Sequence, residues 1–164
     1  MSEFPSHQDL SFRLARQRDL KAIQDLFVDT ITAVCQNDYT PEQIKAWTSS
    51  VEKTKRWHDL LQDQDVIIAQ INDKIVGFAS LKDNHYIDFF YIHKDHQGQG
   101  VAKLLYREIE KEALARGTIS LSSDISITAK PFFESRGFVS IKKQENHIRS
   151  TILVNYKMTK QLMG

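Results

Sequence analysis

The sequence has little of what marks secreted, membrane or nucleic-acid-binding proteins. It contains one cysteine, Cys35, so the chain cannot form an internal disulfide, which fits a reducing cytoplasm. No apolar run approaches the roughly 18 residues that a transmembrane helix requires. Residues 1–7 have neither the basic start nor the apolar stretch of a secretory signal peptide. The sequence therefore predicts a cytoplasmic protein that does not bind a membrane.

Charge of either sign is not in excess. The chain has 22 lysine and arginine residues and 21 aspartate and glutamate residues, which gives a net charge of +1. The basic residues are interspersed, and this argues against a nucleic-acid partner. Of the 164 residues, 41% are hydrophobic and 26% charged, as is ordinary for a soluble globular protein. We expect one domain over residues 1–164, with residues 1–10 as a loose tail.

The first part of the chain has one strand signal followed by helix signals. Residues 12–16 alternate between apolar and polar side chains and predict a first strand. Asp19 is a suitable N-cap for a helix whose apolar residues recur at three- and four-residue spacing. Residues 40–43 form a capping box that begins a second helix, and a third is expected around residues 53–61.

The middle of the chain predicts three strands in succession. Residues 66–71 and 75–81 are rich in β-branched and apolar residues, and the turn signal Asn72-Asp73 separates them. A third strand follows over residues 86–92. Because the connections are tight, we expect these strands to form an antiparallel meander.

The last part of the chain combines a long amphipathic helix with further strands. The helix follows residues 97–100 and ends near Gly117. A short strand, a short helix and two more strands follow over residues 119–158. The sequence therefore predicts an α/β fold with a mixed, mostly antiparallel central sheet of about seven strands, flanked by about four helices.

The most informative segment joins the third meander strand to the long helix. Its residues 97–102 are Gln-Gly-Gln-Gly-Val-Ala. A glycine loop at a helix N-terminus turns backbone N–H groups outward, which favours binding of a phosphate or pyrophosphate; a plain turn into the helix is the simpler alternative. The P-loop pattern does not fit, because no Gly-Lys-Ser/Thr closes the loop. The dinucleotide fingerprint does not fit either, because Lys103 stands where its third glycine belongs.

Two signatures resemble those of the Gcn5-related N-acetyltransferase (GNAT) family, and the likeness extends over residues 11–158. Residues 97–102 are similar to the family's Gln/Arg-x-x-Gly-x-Gly/Ala motif. Residues 129–138 resemble its later Ala-x-x-Phe-Tyr-x-x-x-Gly-Phe signature. Residues 85–88 and 126–134 are most similar to a bacterial subgroup of YafP-like proteins.

This resemblance implies that acetyl-CoA is the cosubstrate. The family holds the pyrophosphate on the glycine loop and places the pantetheine arm where the strand before the loop splays from its neighbour. The resemblance thus implies these cofactor-binding residues: Phe90, Tyr91, Ile92, Gln97, Gly98, Gln99, Gly100, Val101, Ala102, Ser126 and Phe133. We expect no metal, because His93 and His96 have no evident third ligand.

Acetyl transfer to an amine needs a proton acceptor for the ammonium, a donor for the oxyanion and a proton for the leaving thiolate. Asp88 is the first candidate for the base, or for a carboxylate that binds the amine, directly or through water; a structural carboxylate is the alternative. Tyr86 shares its strand face and is a candidate for binding or proton relay. The family often has a tyrosine general acid where this chain has Phe133.

Other residues have two interpretations each. Asp124 and Ser126 end the strand beside the expected gap; either residue could cap a helix, and Ser126 is also a candidate contact of the cofactor. Trp47 and Trp57 lie on helices that cover the acceptor site in this family, and they either line an apolar pocket or pack in the core. Cys35 belongs to an apolar helical stripe and is expected in the core.

The sequence therefore predicts an N-acetyltransferase that acts on a primary amine of a small molecule or peptide, by direct attack in a ternary complex. Phe133 keeps one alternative open, a non-catalytic acyl-CoA-binding or sensing domain. A third alternative, an interaction module with a vestigial site, requires the loop at residues 97–102 to be blocked. The resemblance also allows a homodimer, although no residue establishes one. The identity of the acceptor is not encoded in any motif that we can read.

Overall fold

Seven strands form one mixed sheet in the computed structural model, which describes residues 9–162. In chain order the strands are β1 (Leu10–Leu14), β2 (Asp65–Ile71), β3 (Lys74–Lys82), β4 (Tyr86–Ile92), β5 (Ser120–Ser126), β6 (Val139–Ile148) and β7 (Thr151–Gln161). Their order across the sheet is β1-β2-β3-β4-β5-β7-β6. Neighbouring strands are antiparallel except β4 and β5, which run parallel. The predicted fold class and the antiparallel meander are confirmed.

Five α-helices cover the two faces of this sheet within the described residues, compared with the prediction of about four. They are α1 (Leu20–Val34), α2 (Pro41–Thr48), α3 (Thr54–Asp63), α4 (Val101–Ala115) and α5 (Lys130–Ser135). Helices α1, α2 and α3 enclose a core on one face that includes Phe27 and Trp57. Helices α4 and α5 enclose a second core on the other face, which includes Leu105 and Phe133. The apolar stripes of the helices therefore bury both faces of the sheet.

The helix starts follow the signals in the sequence, with one difference. Thr40 and Gln43 form the predicted capping box before α2: Thr40 Oγ1 accepts the Gln43 N–H at 3.2 Å, and Gln43 Oε1 accepts the Thr40 N–H at 2.8 Å. Asp19 precedes α1 as predicted but does not cap it with its side chain. Its carboxylate instead accepts hydrogen bonds from the Arg13 guanidinium and the Arg16 N–H. Hydrogen bonds from these two preceding residues thus take the place of the predicted helix cap.

Several predicted bounds differ from the structure. The first strand covers Leu10–Leu14 rather than residues 12–16. The last two strands form one long hairpin whose turn contains Arg149 at a φ of 57°, so Ile148 ends β6 instead of beginning the last strand. Of the predicted tail over residues 1–10, residues 1–8 lie outside the described part of the chain, whereas Leu10 already belongs to β1.

Strand β4 contains a β-bulge at Asp88. On the neighbouring strand β3, Ser80 pairs with Phe89 and Leu81 pairs with Ile87, so Asp88 has no partner. An extra residue interrupts the alternation of side chains between the two faces. Accordingly Ile87 belongs to the α4–α5 core, whereas Phe89, two residues later, belongs to the α1–α3 core. The bulge therefore directs both Asp88 and Phe89 toward helices α1–α3.

Candidate active site

The parallel strands β4 and β5 stay together at one end and separate at the other. They pair only at Tyr86 with Ser122 and at Ile87 with Ser123. The Ser123 hydroxyl donates a hydrogen bond to the Ile87 carbonyl at 2.7 Å and closes this end. Beyond that point no further β4–β5 pair is present in the described residues. A gap therefore opens in the middle of the sheet, as the family resemblance implies.

The edge of β4 that borders the gap presents unpaired backbone groups. The His93 N–H donates to the Val76 carbonyl on β3 at 2.8 Å, which sets the alternation of hydrogen-bonded pairs along the two strands. By this alternation the N–H and C=O groups of Phe90 and Ile92 point away from β3, into the gap. The Ile92 carbonyl accepts hydrogen bonds from Thr30 Oγ1 at 2.9 Å and from Gln97 Nε2 at 2.7 Å. The groups of Phe90 and the N–H of Ile92 form the rest of this edge.

The glycine loop ends where helix α4 begins. Gly98 and Gly100 have φ angles of 70° and 84°, in the left-handed region where a side chain is strained. The first hydrogen bond of α4 joins the Leu104 N–H to the Gly100 carbonyl, so the preceding N–H groups of the helix have no helical acceptor. A Cβ atom added at Gly98 would meet nothing within 4 Å. The loop therefore offers an open approach to N–H groups at the positive end of the helix dipole.

Two clefts lie along this gap and share part of their walls. The loop-side cleft has a volume of about 340 Å³ and includes Gln97, Gly98, Gly100, Ala102 and Lys103 in its lining. The hairpin-side cleft has a volume of about 440 Å³ and extends between helices α1–α3 and the β6–β7 hairpin. The residues that line both clefts are Trp47, Phe90, Tyr91, Ser126, Ala129 and Phe133. A molecule bound along the loop-side cleft would thus meet a second molecule at these residues.

Asp88 lines the hairpin-side cleft but has strong partners on helix α3 and on the residue that follows this helix. Its carboxylate accepts two hydrogen bonds from the Arg56 guanidinium, at 3.2 and 3.3 Å, and one from Gln64 Nε2 at 2.7 Å. The Asp88 side chain is only 10% exposed, and Arg56 also lies 4.7 Å above the centre of the Phe89 ring. The positive charge of Arg56 therefore balances the carboxylate of Asp88, and the contact attaches α3 to the bulged strand.

Tyr86 lies at the closed end of the gap and points into the same cleft. Its hydroxyl donates a hydrogen bond of 2.6 Å to Asp124 on β5. Burial and this hydrogen bond to a carboxylate raise the pKa of the Tyr86 phenol above its usual range. Gln144 on β6 donates to the other Asp124 oxygen at 2.8 Å and also to Asn155 Oδ1 at 3.0 Å. Residues from four strands are therefore joined in one hydrogen-bonded network on the cleft wall.

The other residues predicted to bind the cofactor fall on the shared wall or on the loop. Phe133 is 2% exposed, and its ring packs edge-on against Phe90 and Tyr106 at centroid distances of 5.3 and 6.3 Å. Ser126 Oγ accepts the Ala129 N–H at 3.1 Å in the turn before α5, but it does not cap the helix, whose N-cap residue is Ala129. Ser126 also lines both clefts, where a bound cofactor could reach it.

Three residues with open interpretations can now be placed. Trp47 lines both clefts, whereas Trp57 is 1% exposed and packs in the core. Cys35 is buried as expected, and it also contributes to the wall of the loop-side cleft. Burial raises the pKa of its thiol.

The two loop histidines contact each other. The Asp95 N–H donates to His93 Nδ1 at 3.1 Å, and the His96 ring packs edge-on against the His93 ring at 5.3 Å. Burial lowers the pKa of both imidazoles. Within residues 9–162, no group of three or more metal-ligating side chains is close enough to hold an ion. In that same range, no helix combines the length and apolar character needed to cross a membrane.

Sequence reasoning missed the contribution of α3 and of the β6–β7 hairpin. Arg56 comes from α3 and Gln64 directly follows that helix, whereas Gln144 and Asn155 come from the hairpin, far from either signature. The only signal was their polarity, which surface residues share. Asp124 was noticed for its place at the end of a strand, but not for its pairing with Tyr86.

Known proteins resemble this chain over most of its length. The acetyltransferase (GNAT) domain family matches residues 35–160. The chain is 33% identical over 150 residues to the uncharacterized N-acetyltransferase YafP of Escherichia coli (strain K12). That match covers 92% of this chain and 95% of YafP. The predicted likeness to the GNAT family and its YafP-like members is confirmed.

Solved structures have the same architecture. A GCN5-related N-acetyltransferase from Rhodopseudomonas palustris is 35% identical with a TM-score of 0.89, over 93% of this chain and 95% of its own. The protein yncA from Salmonella typhimurium, solved with its cofactor acetyl-CoA, is 21% identical with a TM-score of 0.66, over 94% of each chain. The family match, the YafP relationship and the shared fold together place this chain in the GNAT family, as an N-acetyltransferase.

Proposed function

We propose that the protein transfers the acetyl group of acetyl-CoA to a primary amine of a small molecule or peptide, by direct attack within a ternary complex. One observation carries the proposal: two clefts meet at the gap between β4 and β5, with the open glycine loop at the outer end of one of them. Such an arrangement allows two substrates to be bound at once, with their reacting ends together.

The loop-side cleft suits the cofactor. The N–H groups at the start of α4 can hold a pyrophosphate, because they have no helical acceptor and lie at the positive end of the helix dipole. The backbone groups of Phe90 and the N–H of Ile92 can pair with an amide-bearing arm as an added strand would. Gln97 and Thr30 fix the end of this edge through the Ile92 carbonyl. The remaining proposed cofactor contacts are Tyr91, Gly98, Gln99, Gly100, Val101, Ala102, Ser126 and Phe133.

When bound, acetyl-CoA supplies an activated acetyl thioester. The protein's own residues then have to orient the amine, accept its proton and exclude water from the shared wall. The aromatic side chains of Trp47, Phe90, Tyr91 and Phe133 make that wall largely apolar. Because Phe133 has no hydroxyl, it cannot protonate the leaving thiolate, and we assign no side chain to that step.

The predicted roles of Asp88 and Tyr86 stay predictions. Asp88 faces the cleft, but its carboxylate is already engaged by two hydrogen bonds from Arg56 and one from Gln64. This contact supports a role in positioning α3 and the bulge. Tyr86, with a raised pKa, is suited to donate a hydrogen bond rather than to act as a phenolate base.

A thermal-shift titration tests the cofactor half of this proposal. Acetyl-CoA at about 100 times its dissociation constant stabilises the folded state by about 2.7 kcal/mol. For a chain of this size that corresponds to roughly 5–10 °C in Tm. Desulfo-CoA tests whether the nucleotide portion suffices, and ATP tests for unspecific binding of phosphates. A protein that acetyl-CoA does not stabilise at millimolar concentration would contradict the proposal.

A further inference from the structure

We propose that Asp124 is the carboxylate that binds the ammonium group of the acceptor and accepts its proton, and that the acceptor is a cationic primary amine with an apolar body. This inference rests on the acetyl transfer proposed above. It assigns the base to β5 rather than to the bulged residue Asp88 on β4. The observations that carry it are position, charge balance, accessibility and the nature of the opposite wall.

The first observation is the position of Asp124. The last pairs between β4 and β5 are Tyr86 with Ser122 and Ile87 with Ser123, so Asp124 stands one step beyond the closed end of the gap. Ser126, which lines both clefts, follows two residues later on the same strand face. Two residues of a strand span about 6.6 Å. Asp124 therefore lies in the hairpin-side cleft, two strand residues from the place where the two clefts meet.

The second observation is a difference in charge balance between the two carboxylates of the cleft. Asp88 is paired with Arg56, so together they carry no net charge. The hydrogen-bond donors to Asp124, the Tyr86 hydroxyl and the Gln144 amide, are both neutral. Within residues 9–162, Asp124 forms no ion pair. A carboxylate with only neutral donors retains its charge for a cationic ligand.

The charged and titratable groups around Asp124 leave that assignment intact. On β4 these are Tyr86 and the Arg56-paired Asp88. On β7, Lys157 stands opposite Asp124 in the strand pairing, but its side chain is exposed and forms no ion pair in the described residues. On the far wall of the cleft, Lys53 and Arg56 come from the segment around α3. Within the described residues, none of Lys157, Lys53 and Arg56 forms an ion pair with Asp124.

The third observation is that Asp124 is fixed and yet accessible. Both of its oxygens have a donor, and Gln144 is itself held through Asn155. Each carboxylate oxygen can accept a further hydrogen bond, and Asp124 is an exposed residue on the cleft wall. A proton taken up there can leave to solvent, as each turnover of a base requires.

The fourth observation is the wall that faces this carboxylate. It contains aromatic rings from α1, α2, β4 and the loop between α1 and α2, which lie in mutual edge-on or tilted contacts: Phe27, Tyr39, Trp47, Phe89 and Tyr91. Such rings favour an apolar or aromatic body on the acceptor and also attract its cationic end. A carboxylate without an ion-pair partner in the described residues, opposite an aromatic wall, therefore favours a cationic amine with an apolar body.

The proton balance of the step is simple. The amine enters as R–NH3⁺, and Asp124 accepts one proton from it. The neutral nitrogen then forms the C–N bond with the acetyl carbon, and the C–S bond breaks with its electron pair going to sulfur. A second proton passes from nitrogen to the thiolate, and the first leaves Asp124 for solvent. One amide, one CoA thiol and one released proton result.

The test compares Asp124→Asn with Asp88→Asn, and with Asp73→Asn as a charge control in the exposed β2–β3 turn outside both clefts. The probe is 2-phenylethylamine with acetyl-CoA, followed by release of the CoA thiol. We expect Asp124→Asn to lower kcat/KM for the amine by about 100-fold or more, as loss of a general base does. The KM for acetyl-CoA should not change, the acidic limb of the pH profile should disappear, and Asp124→Glu should restore part of the activity.

A binding measurement provides a readout without turnover. Protein loaded with CoA is titrated with 2-phenylethylamine and with its neutral analogue 2-phenylethanol. We expect the wild type and Asp73→Asn to prefer the amine by at least tenfold, and Asp124→Asn to lose this preference. If Asp124→Asn does not fold, Gln144→Leu takes its place, since it removes one donor that orients Asp124 and should weaken amine binding selectively.

The outcomes separate this inference from the proposed function. An Asp124→Asn enzyme within threefold of wild type, with an unchanged pH profile, would overturn the inference and leave the acetyl transfer intact. The same holds if Asp88→Asn alone abolishes turnover, or if the loaded wild type neither binds nor acetylates 2-phenylethylamine. Failure to bind acetyl-CoA or CoA would instead overturn the proposed function itself.

Discussion

Replacing Gly98 with alanine separates the conformational role of the glycine loop from its proposed role in binding. Gly98 has a φ of 70°, and a Cβ atom there would meet no protein atom within 4 Å. The new methyl group would therefore cause backbone strain without a clash inside the protein. It would also project into the space through which an anion has to approach the N–H groups of the loop.

Gly117 offers a matched control in the same chain. Its φ is 76°, and a Cβ atom there would likewise meet nothing within 4 Å. It follows the other end of α4, and a 15-residue helix is about 22 Å long. Each alanine should therefore lower the free energy of unfolding by about 1 kcal/mol, since left-handed backbone disfavours a side chain. In a chain of this size this corresponds to a loss of about 2–4 °C in Tm.

The two variants should differ only when acetyl-CoA is added. Loss of one hydrogen bond to a charged group costs about 1.5–3 kcal/mol, so Gly98→Ala should weaken binding by at least about tenfold. At a ligand concentration of about 100 times the wild-type Kd, the stabilisation then falls from about 2.7 to about 1.4 kcal/mol. Gly117→Ala should retain the full shift. Equal ligand-induced shifts in both variants would refute the assignment of the loop as the anion site.

Two further predictions concern the stability of the fold. The guanidinium of Arg13 beside Asp19 lowers the pKa of that carboxyl, so the pair stabilises the fold above the unfolded pKa of about 4 and loses this effect as the pH falls through the lower folded value. In urea denaturation, Asp19→Asn should be about 2 kcal/mol less stable than the wild type at pH 7, and the difference should shrink below pH 4. A difference that is constant with pH would contradict this linkage. The buried Tyr39 hydroxyl donates a hydrogen bond to the Val154 carbonyl at 2.6 Å and accepts one from the Ile127 N–H at 3.0 Å. Tyr39→Phe should therefore lower the free energy of unfolding by about 1–3 kcal/mol, as measured by thermal or urea denaturation. A change near zero would mean that water replaces the hydroxyl.

Most of the fold could be predicted because its signals are local. The capping box before α2 is formed by Thr40 and Gln43, the same residues that predict it. The three meander strands follow from β-rich runs separated by tight turns, and their antiparallel pairing needs no information from elsewhere in the chain. The hairpin of β6 and β7 was harder, because its turn at Arg149 has no glycine or proline to mark it.

The candidate site divides in the same way. The loop at residues 97–102 depends on backbone conformation, and its glycines can be read directly from the sequence. Its position at the start of α4 agrees with the prediction. The contacts of Asp88 and Asp124 are long-range: Arg56 is 32 residues from Asp88, and Tyr86 is 38 residues from Asp124. No periodicity encodes such pairs, so the partners of each carboxylate could not be inferred before the fold was known.

The bulge explains why strand β4 was difficult to read and why it matters. A regular strand through residues 86–92 would put Ile87 and Phe89 on one face, whereas the structure divides them between the two cores. Because Asp88 is the extra residue, the alternation restarts after it, and Phe90 packs on Phe132 and Phe133 while its backbone groups face the gap. The same irregularity gives Asp88 its hydrogen bonds to Arg56 and Gln64. The residue that sequence reasoning selected as the base is therefore the one that shapes the strand. The neighbouring carboxylate on the regular strand β5 is left with its charge uncompensated, and it is the better candidate for the chemistry.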